Sequence, residues 1–156
     1  MSISPERNLK SFAPISLAEM DGIKLMNRVD KKYLTDTKRL IEILNDAAAQ
    51  GYRVFENYGE RFHGYDSVYF DTPELRMFTE HRRGKTVRQK VRTRVYRESG
   101  LCFLEVKRKN NHGRTKKKRT EAPSDCFEDF RSNEKLGLWL KDHSDYMVGG
   151  IEPSLE

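Results

Sequence analysis

Cysteine is scarce in this chain of 156 residues, which holds two, Cys102 and Cys126. A disulfide-held secreted domain or a zinc ribbon needs more, and at closer spacing, so both classes are excluded and a reducing cytoplasm is the expected setting. The four histidines, His63, His81, His112 and His143, show no metal-ligand spacing either. No stretch approaches the roughly 18 apolar residues of a membrane-spanning helix, so no membrane segment is expected, and the opening MSISPERNLK has no apolar core of the secretory kind. A GxxxxGK[ST] loop and a kinase-type glycine-rich strand are both missing, which sets aside the common nucleotide-binding scaffolds. Repeats and low-complexity linkers are also lacking.

What is present is polar but patterned. Hydrophobic residues make up 36% and charged residues 35% of the chain, yet the apolar residues recur with the periods of helices and strands, so the chain is expected to fold as one domain or part of one. Acids nearly vanish between Arg82 and Arg119. There 16 Lys/Arg stand against Glu98 and Glu105, a local charge of +14 that leaves −8 for the rest of a chain of net charge +6. Charge focused in this way points to a polyanionic partner.

Ser16 and Glu19 have capping-box spacing ahead of a short helix. Asn27 to Leu34 reads as a strand with Arg28, Asp30 and Lys32 on one face. Thr35 to Gln50 reads as a helix, with Thr35 or Asp36 as N-cap and Gly51 just past its end. Tyr52 to Tyr58 and Tyr65 to Asp71 read as strands, followed by a brief helix from Thr72 through Met77. A meander is expected over Val87 to Tyr96, Leu101 to Lys109 and Arg114 to Ala122, with turn residues between. Beyond Pro123 the spacing predicts one or two amphipathic helices broken near Gly137.

The chemistry is concentrated in the meander. Arg88, Lys90, Arg92 and Arg94 alternate with Val87, Gln89, Val91, Thr93 and Val95; Phe103, Glu105, Lys107 and Lys109 alternate with Cys102, Leu104, Val106 and Arg108. One such strand is what any half-solvated sheet contains. Neighbouring strands of this kind set like charges side by side, which destabilises a sheet unless an anion neutralises them. In the third strand every position from Lys116 to Arg119 is basic, so periodicity leaves open whether Lys117 and Arg119 or Lys116 and Lys118 share that face. Asp30 lies two residues from Lys32 and Glu105 two from Lys107; each carboxylate can pair with its ammonium neighbour or, with phosphate oxygens, hold Mg²⁺ or Mn²⁺.

Five blocks in order, Arg28-x-Asp30-x-Lys32-Tyr33, Val68-Tyr69-Phe70-Asp71-Thr72-Pro73, Lys90-Val91-Arg92-Thr93-Arg94-Val95-Tyr96, Phe103-Leu104-Glu105-Val106-Lys107 and Lys117-Lys118-Arg119, resemble the polyphosphate polymerase domain of the vacuolar transporter chaperone (VTC) type. The second block is shared with the wider triphosphate tunnel superfamily, including CYTH-type enzymes. The resemblance implies an α+β fold, an antiparallel β-tunnel flanked by helices, and transfer of the γ-phosphate of ATP to inorganic polyphosphate with Mn²⁺ or Mg²⁺. Carried over by position, Arg92, Arg94 and Lys107 would be catalytic; Arg28, Lys32, Lys90, Lys117 and Arg119 would bind phosphate; Glu105 and Asp30 would hold the metal. Phosphoryl transfer of this kind asks for alignment and charge cancellation rather than a nucleophilic side chain.

Asp30 departs from the family's usual Glu, and residues 1–156 are expected to be a single VTC-like domain cut short of its last tunnel strands, with an open sheet edge that could self-associate. A CYTH-like triphosphate hydrolase or cyclase and a non-catalytic polyphosphate or inositol-phosphate module are the alternatives. Nucleic acid is not the expected partner, because along the sequence the aromatics do not interleave with the basic residues.

Overall fold

In the computed structural model, which describes residues 5–21 and 31–154, local capping chemistry starts the helices where side chains permit it. Helix α1 is Pro5–Leu9 and strand β1 is Ala13–Ile15. Helix α2, Leu17–Asp21, opens on the expected capping box: Ser16 donates through its backbone N–H and its hydroxyl to Glu19, each at 2.8 Å, and Glu19 N–H returns a bond to Ser16 Oγ at 3.3 Å. Helix α3, Thr37–Ala49, has Asp36 as N-cap, its carboxylate accepting from Arg39 N–H at 2.8 Å, and Gly51 beyond its end takes φ +78°. Strand β2 is Arg53–Phe55, paired in parallel with β1.

The expected strand over Asn27 to Leu34 is not found where it can be checked. Residues 31–36 have no regular secondary structure, and among the described residues no strand supplies a ladder for their backbone groups. Residues 27–30, including Arg28 and Asp30, lie outside the described residues.

The chain divides into two compact units, Met1–His63, which holds the elements above, and Gly64–Glu156. The second unit is built on strands β3 (Tyr65–Asp71), β4 (Arg88–Tyr96), β5 (Cys102–Lys109), β6 (Thr115–Ala122) and β7 (Glu152–Ser154). They form one antiparallel sheet in the order β6-β5-β4-β3-β7. The sheet is open: β6 and β7 are its edges, and the described strands do not close the expected tunnel.

Strand alternation divides the sheet into two faces. Phe70, Val91, Leu104 and Val106 point to one side, where they bury against Cys126, Phe130, Ile151 and helix α5, Glu134–His143, through Leu136 and Leu140. Phe70 and Phe130 meet edge to face at 4.7 Å. Helix α5 runs unbroken through Gly137, against the expected break. Burial of Leu136 and Leu140 outweighs the glycine's weak helix propensity, and a Cβ at Gly137 would stand 3.2 Å from Val148 Cγ2, so the residue admits close packing there.

Between β3 and β4, helix α4 (Arg76–Arg82) starts later than the expected Thr72. Asp71, nearly fully buried, decides this: its carboxylate accepts from the N–H groups of Thr72, Met77 and Phe78 at 2.7–2.8 Å. Those contacts hold the intervening turn, with Leu75 at φ +52°, and place the helix start beside the end of β3.

Candidate functional site

The outer face of the same sheet is set by register. Arg92 lies opposite Glu105 and Tyr69; Lys90 opposite Lys107, which is opposite Lys117; Arg94 opposite Phe103 and Ser67; Glu105 opposite Arg119. Lys90, Arg92, Arg94, Lys107, Lys117 and Arg119 therefore share one face. The choice that periodicity left open on β6 is resolved by this register, since Lys116 and Lys118 alternate to the other side. Lys32 lies exposed in the Met1–His63 unit.

Glu105 sits at the centre of the field and is only 1% exposed. Arg92 grips one carboxylate oxygen through Nε at 2.7 Å and Nη2 at 2.6 Å, and Lys117 Nζ reaches the other at 3.3 Å. The third nitrogen of Arg92 donates to Tyr69 Oη at 3.2 Å. A chain Tyr69–Arg92–Glu105–Lys117 thus crosses four adjacent strands. Burial disfavours the ionised form of Glu105, but Arg92's hydrogen bonds and charge, reinforced by Lys117, outweigh it and hold the carboxyl below its ordinary range. Burial likewise pulls on Arg92, yet its bonds to Glu105 and Tyr69 raise its pKa further.

The remaining cations are held differently. Arg94 donates to Ser67 Oγ at 3.0 Å and lies 3.8 Å over the Tyr65 ring; Arg119 lies 4.6 Å over Phe103; Lys90 Nζ is 5.5 Å from the Tyr69 ring centre. Rings orient a guanidinium without neutralising it. Among the described residues none of Lys90, Arg94, Lys107 and Arg119 has a carboxylate partner. The face therefore presents several uncompensated positive groups around one neutralised pair, an arrangement suited to an extended polyanion.

Aromatics do interleave with the basic residues, contrary to the reading of the linear sequence. Tyr65, Tyr69, Tyr96 and Phe103 fall on this face because register brings β3 beside β4 and β4 beside β5. Their role as platforms under Arg94 and Arg119 has no signal in a single strand's alternation.

The described residues hold no all-protein cage for a divalent ion, and Asp30, the expected partner of Glu105 in holding one, lies outside them. Both oxygens of Glu105 are engaged by cations, and no group of three or more His, Cys, Asp or Glu among the described residues converges on a point. No helix among the described residues is long and apolar enough to cross a membrane. No curated protein matches the chain. A family model, the VTC domain, matches residues 27–146, which take in every block of the basic face and most of α5's surroundings. With that match over most of its length, and with the basic face formed by the strands it covers, the chain belongs to the VTC domain family.

Proposed function

We propose that the outer face of the five-stranded sheet is one wall of a phosphate-chain tunnel, and that the protein transfers the γ-phosphate of ATP to inorganic polyphosphate. The VTC domain family is associated with polyphosphate polymerases. The observation that carries the reading is the lateral row Lys90–Lys107–Lys117, three ammonium groups on adjacent strands, flanked by Arg94 and Arg119. Such a row is unfavourable by itself and becomes favourable once phosphate oxygens lie across it.

In this reading Lys90, Arg94, Lys107 and Arg119 contact phosphate, and Glu105 keeps Arg92 and Lys117 directed along the wall. Catalysis then consists of aligning donor and acceptor phosphates and cancelling charge on the group in transfer. Mn²⁺ or Mg²⁺ belongs with the nucleotide's phosphates rather than with Glu105, and phosphate binding by Arg28 and Lys32 rests on the family resemblance alone.

The rings beneath Arg94 and Arg119 are occupied by those guanidinium groups, which favours phosphate over stacked bases as the ligand of the wall. The test is incubation with ATP and Mn²⁺, with the products resolved by length. Long phosphate polymer is expected from the wild-type protein, with a fall of about a hundredfold or more in Arg94→Ala and Lys107→Ala, on the scale of a lost transition-state contact. Undiminished synthesis in both variants would overturn the site; release of single phosphate without chain growth would assign a hydrolase instead.

A further inference from the structure

Where α4 meets the end of β3, the Gly64–Glu156 unit holds a cavity of about 230 Å³ lined by Tyr69, Leu75, Met77, Phe78, Lys90 and Ser154, with Asp71 in its wall. Two of these residues, Tyr69 and Lys90, also belong to the basic face, so the cavity opens onto the Lys90–Lys107–Lys117 row. We propose that it receives the base of a nucleotide whose phosphates run along that row. The inference rests on the phosphate-chain reading and adds to it a place for the part of the donor that is not phosphate.

The chemistry of the lining selects this occupant. Asp71 spends its carboxylate on the N–H groups of Thr72, Met77 and Phe78, which leaves it no role as a cation site. Ser154 Oγ donates to Tyr69 O at 3.3 Å, and apart from it and Lys90 the remaining walls are apolar or aromatic. Phe78 and Leu75 stay 47% and 45% exposed, so an apolar ledge faces solvent at the mouth of a charged surface. A bare phosphate chain makes no use of such a ledge. The volume falls below the roughly 300 Å³ at which pockets for drug-sized molecules begin, and suits one flat heterocycle. Lys90, without a carboxylate partner and 5.5 Å from the Tyr69 ring centre, stands where the ring of a ligand would pass to its first phosphate. A flat ring joined to a phosphate chain is a nucleotide.

The experiment compares the affinities of ATP and tripolyphosphate by calorimetry without turnover, in wild type and in Phe78→Ala, Leu75→Gly and Lys107→Ala. Charge alone favours tripolyphosphate, which is the more highly charged. With the base seated on Phe78, ATP is expected to bind at least as tightly, and Phe78→Ala to weaken ATP by about tenfold while leaving tripolyphosphate unchanged, the scale of one base–aromatic contact. Leu75→Gly, which also relaxes the left-handed backbone, is expected to weaken ATP alone and more mildly. Lys107→Ala should weaken both ligands. Thermal melting verifies that each variant is folded. Equal losses of ATP and tripolyphosphate in Phe78→Ala, or none in either ledge variant, would overturn the base site and leave the phosphate wall standing. Failure of both ligands to bind the wild-type protein would overturn the wall and the base site together.

Discussion

Glu105 is the residue on which the basic face turns. It is an acid 1% exposed in a field of cations, and its carboxylate is bound at both oxygens. Glu105→Gln removes the charge and, keeping one acceptor oxygen, turns an amide NH2 toward either Arg92 or Lys117, so it is expected to destabilise the Gly64–Glu156 unit by about 2 kcal/mol in chemical denaturation, below the range for fully buried pairs because Arg92 keeps some solvent contact. The same carboxylate ties stability to acid. Its pKa is lowered on folding from an ordinary 4.5, so its contribution is complete above that value and is lost as pH falls through the lower folded value. Melting temperature should therefore drop on acidification below about pH 4.5 in the wild type, and the part of that drop due to Glu105 should be missing in Glu105→Gln. The alternation of β5 placed Glu105 among the basic residues in sequence, but its partner Arg92 lies on another strand. Only the β4–β5 register shows that Glu105 is bound by Arg92.

At the scale of elements, the caps were legible and the long-range pairings were not. Ser16 with Glu19 and Asp36 with Gly51 mark helix ends by chemistry that acts within a few residues, and the helices stop and start there. The Ser16 contacts and Arg53 hold Glu19 down to about 2. Helix α4 is different: its cap is Asp71, the last residue of β3, which lies six and seven positions ahead of the Met77 and Phe78 groups it binds. Asp71→Ala leaves three N–H groups without their acceptor, that of Met77 buried and those of Thr72 and Phe78 partly so, and a loss of about 2 kcal/mol is expected from urea unfolding. Because Asp71 also forms the wall beneath Phe78, that variant should loosen the ledge before the rest of the sheet, seen as faster amide exchange in 76–82 than in β4 or β5. Gly137 misled in the opposite direction. It reads as a break by propensity, whereas α5 continues because its buried neighbours reward continuation, and a Cβ there would stand a tight 3.2 Å from Val148 Cγ2.

At the scale of the whole molecule, charge is segregated by the pleat. One face of the sheet is closed by Phe70, Val91, Leu104, Val106, Phe130 and Leu140, and the other carries Lys90, Arg92, Arg94, Lys107, Lys117 and Arg119 around Glu105. The core is expected to be intolerant, with Leu140→Ala costing about 3 kcal/mol or more. The basic face is expected to tolerate single truncations of Lys107 or Arg119 in stability, since both are exposed, while losing affinity for anions. Tripolyphosphate binding should fall by about tenfold to a hundredfold between roughly 50 and 200 mM salt, with a shallower slope in Lys107→Ala, because each neutralised cation contributes to counterion release.

The amino-acid sequence by itself determined helices α2 and α3, strand β3 and the three strands of the meander, and that two of those strands carry cations on one side and apolar residues on the other. These properties follow from interactions among residues close along the chain. The tertiary structure decided what those strands do together: that Lys117 and Arg119 rather than Lys116 and Lys118 join the face, that Tyr65 and Phe103 lie under guanidinium groups, and that Glu105 answers Arg92. It also brought Phe78 and Lys90 to the same cavity. Each of these depends on register between strands separated by a turn or a helix, and a shift of one residue would turn every side chain to the opposite face.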